Sequence, residues 1–215
     1  MTSPAPIRIE AEVDACEHPA MLAGAQQLAE ALKAATGADW PIQLRYWGPG
    51  AAPATSEPGS VTVFSLLPDV DRAEPFAATE ARWRARLALL AAGAAPVLIC
   101  TVFRCIADRR TPAGLERIER IRRLNRMAAD LSHDLGATIV DIDRAFAHIG
   151  GRILQTDYRL NGRLAAEVAG HALVWSLLSL GIDDIVSPEV QDRARAFHGS
   201  LREINTLVSR RLAAG

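Results

Sequence analysis

The sequence predicts a three-layer α/β/α sandwich built on a mostly parallel five-stranded sheet. Short β-branched or apolar runs alternate with longer helical segments, as in repeated strand–helix–strand units. The run at residues 60–67 is apolar on both faces, as a strand buried inside a parallel sheet should be, and residues 96–103 are similar. We place one such domain at residues 5–181 and a C-terminal amphipathic helix at residues 187–213.

The first half of the chain is predicted to supply three strands and two helices. Residues 7–13 form the first strand, and residues 41–47 form the second, which a Gly- and Pro-rich stretch at 48–59 follows. Between them, residues 21–36 form an Ala-rich helix whose apolar positions share one face: Leu22, Ala25, Leu28, Ala29 and Leu32. The third strand, at 60–67, precedes a helix at 74–92.

The second half contains the clearest helical pattern. This helix begins at Thr111 and Pro112 and ends at Gly136, and its apolar residues recur every three or four positions: Leu115, Ile118, Ile121, Leu124, Ala128, Leu131 and Leu135. The fourth strand, at 96–103, lies before it, and a fifth strand at 137–142 follows it. A loop through Gly150 and Gly151 then leads to a helix at 162–180.

The C-terminal segment has a different periodicity from the rest of the chain. After Ser187 and Pro188, apolar residues step by four and three positions in turn: Val190, Ala194, Phe197, Leu201, Ile204 and Val208. This spacing is a heptad seam on a helix of about 25 residues. Two interpretations stay open, because the helix could pack on its own domain or join two copies of the chain in a homodimer.

The composition excludes several classes of protein. Twenty-four Lys and Arg residues against 25 Asp and Glu residues give a net charge of −1, so we expect no nucleic-acid or membrane partner. The first ten residues lack the pattern of a secretory signal, and we expect a cytoplasmic protein. Its three cysteines are too widely spaced for a disulfide framework or a zinc site, and we expect no metal and no cofactor.

Candidate functional residues follow the predicted strands, because doubly wound folds bind ligands at the carboxyl ends of their strands. The polar and Gly residues there are Asp14, Cys16, Glu17 and His18 after strand one, Gly48 and Gly50 after strand two, Asp69 and Asp71 after strand three, Arg104, Cys105 and Asp108 after strand four, Asp141 and Asp143 after strand five, and Asp157, Tyr158, Arg159 and Asn161 before the last domain helix.

Several strings in the second half have the order found in one hydrolase superfamily. A helix with the pair Leu124-Asn125 precedes a strand ending in Val140-Asp141, and a loop bearing Asp157 leads to an Ala-rich helix. With the run PVLICTVFR, this order resembles the SGNH or GDSL-type hydrolases over about residues 7–181. The resemblance implies that superfamily's α/β/α fold and, in a typical member, hydrolysis of esters.

The residues that carry this chemistry in the superfamily are mostly replaced. The nucleophilic Ser of the Gly-Asp-Ser string corresponds to Ala15, although Asp14 is kept. Pro68 stands where an oxyanion-binding Asn is expected, just before Asp69. The Asp-x-x-His string becomes Asp157-Tyr158-Arg159-Leu160, so a Leu replaces the general base.

These departures favour a binding, accessory or scaffolding protein that does not hydrolyse esters. It would bind a small molecule or a protein partner in the cleft at the carboxyl ends of the strands. The candidate binding residues are Asp14, Gly48, Gly50 and Asp69. The alternative is an acyl-ester hydrolase with replacement residues, in which Cys16 is the nucleophile and Asp157 the basic or orienting carboxylate. An unrelated lyase or isomerase reaction is a third hypothesis.

Other residues carry two interpretations each. Asp14, Asp69 and Asp157 could converge to bind a divalent cation or a cationic substrate, or each could cap a helix or close a turn. Ser65, in the third strand, is more typical of a satisfied core hydroxyl than of a nucleophile. We expect His171 to pack inside its helix, and the Arg-rich helix at 112–135 to present a solvated, ion-paired face.

Overall fold

In the computed structural model, residues 4–48, 59–91, 95–200, 203, 204 and 208 are described. Five parallel strands form one sheet in the order β2-β1-β3-β4-β5. The strands are β1 (Ile7–Glu12), β2 (Ile42–Tyr46), β3 (Ser60–Ser65), β4 (Val97–Cys100) and β5 (Thr138–Val140). The predicted fold class is therefore confirmed.

Seven α-helices lie in the described part of the chain. They are α1 (His18–Thr36), α2 (Phe76–Ala91), α3 (Pro112–Leu135), α4 (Ile142–Ile149), α5 (Gly151–Leu154), α6 (Arg163–Ser176) and α7 (Pro188–His198). Short 3₁₀ turns at Ala15–Glu17 and Leu67–Asp69 follow β1 and β3, and a π-helical turn at Leu177–Gly181 continues α6.

The sheet separates two hydrophobic cores. On one face, Ile9, Val63 and Leu98 pack with apolar residues of α1, α4, α6 and α7. On the other face, Phe64 and Ile99 pack with α2 and α3. Because alternate residues of a strand point to opposite faces, β3 and β4 each contribute to both cores. The carboxyl ends of the strands then lie at one edge between the two helical layers.

Helices α1 and α6 cross at two glycines. A Cβ on Gly170 would lie 2.6 Å from the backbone N of Gly24, which is closer than real Cβ atoms approach. The two backbones can touch only because neither position has a side chain. This contact holds the beginning of α1, directly after β1, against the domain's last helix.

Two short helices were missed in the sequence. The loop predicted through Gly150 and Gly151 contains α4 and α5 instead. Asp141 caps α4 by accepting a hydrogen bond from the backbone N of Arg144, and the buried face of this helix is formed by Ile142, Ala145, Phe146 and Ile149. Predicted strands four and five were also too long, because only Val97–Cys100 and Thr138–Val140 pair in the sheet.

The single C-terminal helix of about 25 residues was wrong. Helix α7 ends at His198, because Gly199 has φ 82° and ψ 157°, outside the helical region. Ala194, Ile204 and Val208 are buried in the core shared with α1 and α6, whereas Phe197 is 62% exposed. In the described residues the seam therefore packs on its own domain. Leu201 lies outside the described residues, and a homodimer stays a prediction.

One apolar segment in the described part of the chain is long enough to cross a membrane. It is Arg163–Gly181, which combines α6 with the π-helical turn. Within its most apolar window, 72% is buried inside the protein, as is typical of the core helix of a globular domain.

Candidate functional site at the carboxyl edge of the sheet

The 3₁₀ turn after β1 is closed by a reciprocal capping box. The carboxylate of Asp14 accepts a hydrogen bond from the backbone N of Cys16 at 3.0 Å. In return, Oε2 of Glu17 accepts one from the backbone N of Asp14 at 2.8 Å. This arrangement satisfies backbone donors at the start of the turn. Asp14 is thus engaged as a cap, and Ala15 is exposed beside it.

Glu17 also reaches into the core and joins β1 to β3. Its Oε1 accepts a hydrogen bond from Oγ of Ser65 at 2.7 Å, and the same Oγ accepts one from the backbone N of Leu67 at 3.0 Å. The side chains of Glu17 and Ser65 are both buried. Burial raises the pKa of Glu17 to about 7, although the hydrogen bonds from Ser65 and Asp14 oppose this rise.

The surroundings of Cys16 keep its thiol protonated. Burial raises the pKa of this thiol to about 12, and the neighbouring carboxylates of Asp14 and Glu17 contribute to the rise. A nucleophilic cysteine needs the opposite environment, with a positive charge that stabilises the thiolate. His18, two residues beyond Cys16, stacks on the ring of Tyr46 with centroids 3.8 Å apart.

Asp69 is buried and fully engaged by α2 and by its own turn. Its Oδ1 lies 2.5 Å from a guanidinium nitrogen of Arg82 and 3.0 Å from Nε of Arg72. Its Oδ2 accepts a hydrogen bond from Nε1 of Trp83 at 2.6 Å. Only 1% of Asp69 is exposed. Its role in the structure is to tie the 3₁₀ turn after β3 to α2.

Helix α3 fixes the same turn from its other side. Nε of Arg120 donates to the backbone O of Asp69 at 2.6 Å, and its guanidinium also donates to the backbone O of Glu74 at 3.0 Å. Another α3 side chain, Arg123, lies over the ring of Phe76 at 4.0 Å. Part of the Arg-rich helix therefore joins α3 to α2, whereas Arg122 and Glu119 form the expected exposed pair.

Asp157 closes a turn before α6. Its Oδ1 accepts a hydrogen bond from the backbone N of Arg159 at 3.0 Å. Leu160, which the resemblance places at the superfamily's general base, is buried and has φ 58°, which is unusual for a residue with a branched side chain. This loop is anchored to the segment after β4 by the backbone N of Tyr158, which donates to the backbone O of Cys105.

A charged groove lies outside these buried groups. It has a volume of about 460 Å³ and lies between residues 70–75 and the first turns of α3. Asp71 lines this groove, and its carboxylate accepts hydrogen bonds from Arg117 at 2.8 Å and from the Tyr158 hydroxyl at 3.0 Å. These two hydrogen bonds, with the charges of Arg117 and Arg159, hold the pKa of Asp71 below its ordinary value, whereas its partial burial acts in the opposite direction.

Two further contacts stabilise the edge. Glu12, the last residue of β1, forms a two-pronged ion pair with Arg86 of α2, whose guanidinium lies 4.4 Å over the ring of Phe64. After β4, the side chain of Asn125 exchanges two hydrogen bonds of 2.8 Å with the backbone of Val102. The Leu-Asn pair of α3 therefore serves to fix the chain that leaves β4.

The carboxylates of Asp14, Asp69 and Asp157 bond to separate partners. In the ranges that the structure describes, no group of three or more His, Cys, Asp or Glu residues is placed to hold a metal ion. Gly48 is exposed at the end of β2, with open space around its Cα, and Gly50 lies outside the described residues. The proposed binding roles of Asp14, Gly48, Gly50 and Asp69 stay predictions.

Glu17 is the residue that sequence analysis passed over. It was noted only as a polar residue after strand one, yet it links the first and third strands and titrates near neutral pH. The signal was the string Asp14-x-x-Glu17, which has the spacing of a capping box. Its second partner, Ser65, lies 48 positions away and becomes visible only in the folded chain.

Comparison with solved structures identifies the fold. A candidate SGNH hydrolase from Slackia heliotrinireducens matches with a TM-score of 0.57 and 16% identity, over 80% of this chain and 100% of that one. This chain has the SGNH-hydrolase-like fold. Its likeness extends to the lipase/acylhydrolase from Enterococcus faecalis, with a TM-score of 0.55 and 17% identity over 80% of this chain and 95% of that one.

An acetylxylan esterase from Geobacillus stearothermophilus shares the SGNH-hydrolase-like fold as well, with a TM-score of 0.52 and 12% identity over 87% of this chain and 100% of that one. No family model matches the sequence. No curated protein matches it either.

Proposed function

We propose that this protein keeps the SGNH-hydrolase-like fold without ester hydrolysis and acts as a binding or accessory protein. The observation that carries this proposal is that three carboxylates at the carboxyl edge are engaged in contacts within the protein. Asp14 caps a turn, Asp69 is saturated by Arg72, Arg82 and Trp83, and Asp157 closes its own loop.

Acyl transfer at this edge would need a nucleophile, a base within hydrogen-bonding reach and donors for the oxyanion. By the resemblance to the superfamily, Ala15 stands at the position of the nucleophile and Leu160 at that of the base. The side chain of Ala15 cannot attack a carbonyl, and that of Leu160 cannot accept a proton. Cys16 is no substitute at neutral pH, because its thiol stays protonated.

The binding surface that we assign to this proposal is the charged groove that Asp71 lines, called the Asp71 groove. Its rim carries both signs of charge, with Asp71, Glu74 and Glu116 beside Arg72 and Arg117. A surface of alternating charge is complementary to polar ligands or partner segments that carry both charges, and less so to an apolar acyl chain. This composition favours a polar small molecule or a protein segment as the partner.

One observation favours the alternative of a rebuilt hydrolase. Ser65 donates its hydroxyl hydrogen to Glu17, whose pKa of about 7 is suited to a general base at neutral pH. Against this role, Ser65 is 3% exposed and Glu17 is 4% exposed, so a substrate carbonyl has no access to the hydroxyl. We therefore assign the pair a structural role and keep its catalytic role as the competing hypothesis.

Hydrolysis of a panel of activated acyl esters separates the two hypotheses. We expect the unmodified protein to show no turnover above the rate of the buffer alone. The competing hypothesis predicts turnover that Ser65→Ala or Glu17→Gln abolishes, or, for the cysteine version, turnover that Cys16→Ala and Asp157→Asn abolish. Glu189→Gln, which changes an exposed carboxylate on α7, is the matched control and should behave as the unmodified protein does.

A further inference from the structure

A second cavity lies away from the carboxyl edge, among α1, α6 and α7. Its volume is about 250 Å³. Its lining from α1 includes Gln27 and Glu30, which are nine and twelve residues beyond the start of that helix. At about 1.5 Å per residue, they lie roughly 14–18 Å along α1 from the edge described above. The cavity is therefore separate from the Asp71 groove and shares no lining residue with it.

The orientation of Gln27 leaves an acceptor unused. Its Nε2 donates a hydrogen bond to the backbone O of Glu167 at 3.1 Å, which fixes the amide. The other end, Oε1, is buried and has no hydrogen-bond partner in the protein. Buried polar atoms are nearly always paired, so an unpaired carbonyl oxygen on a cavity residue indicates a missing donor.

His171 supplies a second unused atom. The residue is only 4% exposed, and its Nε2 has no hydrogen-bond partner. Hydrogen bonding to the backbone at Gly199 and Ser200 raises the pKa of the ring against the larger effect of burial, which lowers it. Because Nε2 is unpartnered, we assign the ring proton to Nδ1, the nitrogen left to donate to that backbone. In this neutral tautomer Nε2 is an acceptor.

The acidic side chains on the described lining are Glu30 and Glu167, and Arg163, outside the lining, lies 4.0 Å from the carboxylate of Glu167. No Lys or Arg is among the described residues that line the cavity. The other titratable lining group, His198, stacks on His171 with centroids 3.8 Å apart. Burial and the neighbouring His171 lower the pKa of His198 to about 4, so this ring carries no charge at neutral pH. Outside the lining, Glu203 adds a further carboxylate near His171.

Apolar side chains form the rest of the wall. Leu164 and Val168 come from α6, Phe197 comes from α7, and Ile204 and Val208 come from the segment beyond it. Phe197 is the largest apolar side chain on this described lining, and it is 62% exposed. The volume lies just below the range of about 300–1,000 Å³ usual for ligand pockets, so the site suits a small molecule.

We propose that this cavity binds a small organic ammonium ion, with its N–H donors on Gln27 Oε1 and His171 Nε2 and its apolar group against Leu164 and Phe197. Two unused acceptors require donors, and the described lining, which includes two carboxylates and no Lys or Arg, favours a positive charge. A carboxylate ligand would offer acceptors to acceptors and face Glu30 and Glu167. A neutral alcohol would provide a single donor and no charge.

Binding of three probes with one carbon skeleton tests the ligand class. Benzylamine, benzyl alcohol and benzoate are titrated into the full chain at pH 7.5, and binding is followed by calorimetry and by shifts in protein NMR signals. We expect benzylamine to bind at least about tenfold more tightly than benzyl alcohol, and benzoate to bind less than either. Equal affinities, a preference for benzoate, or no binding of benzylamine at millimolar concentration would overturn the proposal.

Two variants and one matched control locate the site. Gln27→Leu removes the acceptor at nearly constant size, and we expect it to weaken benzylamine at least about tenfold. Leu164→Trp fills the cavity from α6 and should abolish binding. Gln26→Leu, one position along α1 and exposed, should leave it unchanged. Circular dichroism checks that each variant is folded. Unchanged binding in a folded Gln27→Leu protein would refute the assignment, whatever Leu164→Trp does.

Discussion

Replacing Glu17 by Gln removes a buried group whose protonation is linked to folding. The pKa of Glu17 is about 7 in the folded protein, against 4.5 for an ordinary glutamate. A difference of this size corresponds to about 3 kcal/mol between the two protonation states, and Glu17 is too deeply buried for solvent to screen it appreciably. Gln keeps the shape of the side chain and an oxygen for the backbone N of Asp14, but it does not titrate.

The sign of the effect follows from which state binds the proton. Between pH 4.5 and 7 the folded protein holds a proton on Glu17 that the unfolded chain has released. The contribution of Glu17 to stability is therefore fully present below about pH 4.5 and is lost as the pH rises to about 7. Above that pH the folded protein carries a buried carboxylate, whose charge is supported only by Ser65 and the backbone N of Asp14.

Urea unfolding at half-unit steps from pH 5 to 8 measures this contribution. The free energy of unfolding of the unmodified protein minus that of Glu17→Gln should fall by about 2–3 kcal/mol across this range. Taking the difference removes the effect of groups that titrate in both proteins. The exposed Glu189→Gln control should give a difference that does not change with pH over the same range. A flat difference for Glu17→Gln would refute the reasoning.

Three further predictions follow from the same contacts. Asp69→Ala should lower the free energy of unfolding in urea by about 3–5 kcal/mol, because it leaves buried partners such as Trp83 unpaired. Asp71→Ala, which removes a half-exposed carboxylate, should lower it by about 1 kcal/mol or less. Similar losses in the two variants would refute this prediction. In the native protein, iodoacetamide at pH 8 should alkylate Cys16 at least about a hundredfold more slowly than a free cysteine, because a pKa of about 12 leaves little thiolate. Peptide mass spectrometry follows the reaction, and rapid alkylation would contradict this prediction. The pKa of His198 is lowered from 6.5 to about 4, so the unfolded chain binds more protons between these two pH values. The free energy of unfolding should therefore fall as the pH falls from 6.5 to 4, by at most about 2 kcal/mol after allowing for the partial exposure of the ring. A His198→Gln protein that loses as much stability over the same pH range would argue against this prediction.

The strand–helix alternation was enough to predict the fold because it depends on local patterns. The buried run of β3 and the regular spacing of α3 are both visible without any tertiary information. The end of α7 was also predictable, since Gly199 lies within the heptad segment and glycine commonly follows the end of a helix. The apolar periodicity continues past this glycine and so predicted a longer helix. Helix α4 was hidden because Asp141 was interpreted as the end of a strand rather than as a helix cap.

The candidate site was harder to predict because its interactions span the chain. The resemblance predicts from the sequence alone that Ala15 and Leu160 stand at the positions of catalytic residues. The sequence does not show that Asp69 is saturated by α2, since Arg82 and Trp83 come from a helix whose facing surface only packing defines. Glutamate is rarely buried, so the burial of Glu17 could not be expected from its identity alone.

The most direct test of the proposal that this protein does not hydrolyse esters is its intact mass after reaction with a fluorophosphonate. Such a probe phosphonylates an activated serine: the hydroxyl oxygen forms a bond to phosphorus, fluoride leaves, and the proton passes to a base. We predict that the mass of the native protein stays unchanged, because Ser65 is buried and the resemblance places Ala15 and Leu160 at the positions of a nucleophile and its base. A stoichiometric adduct that maps to Ser65, and that Glu17→Gln prevents, would contradict it.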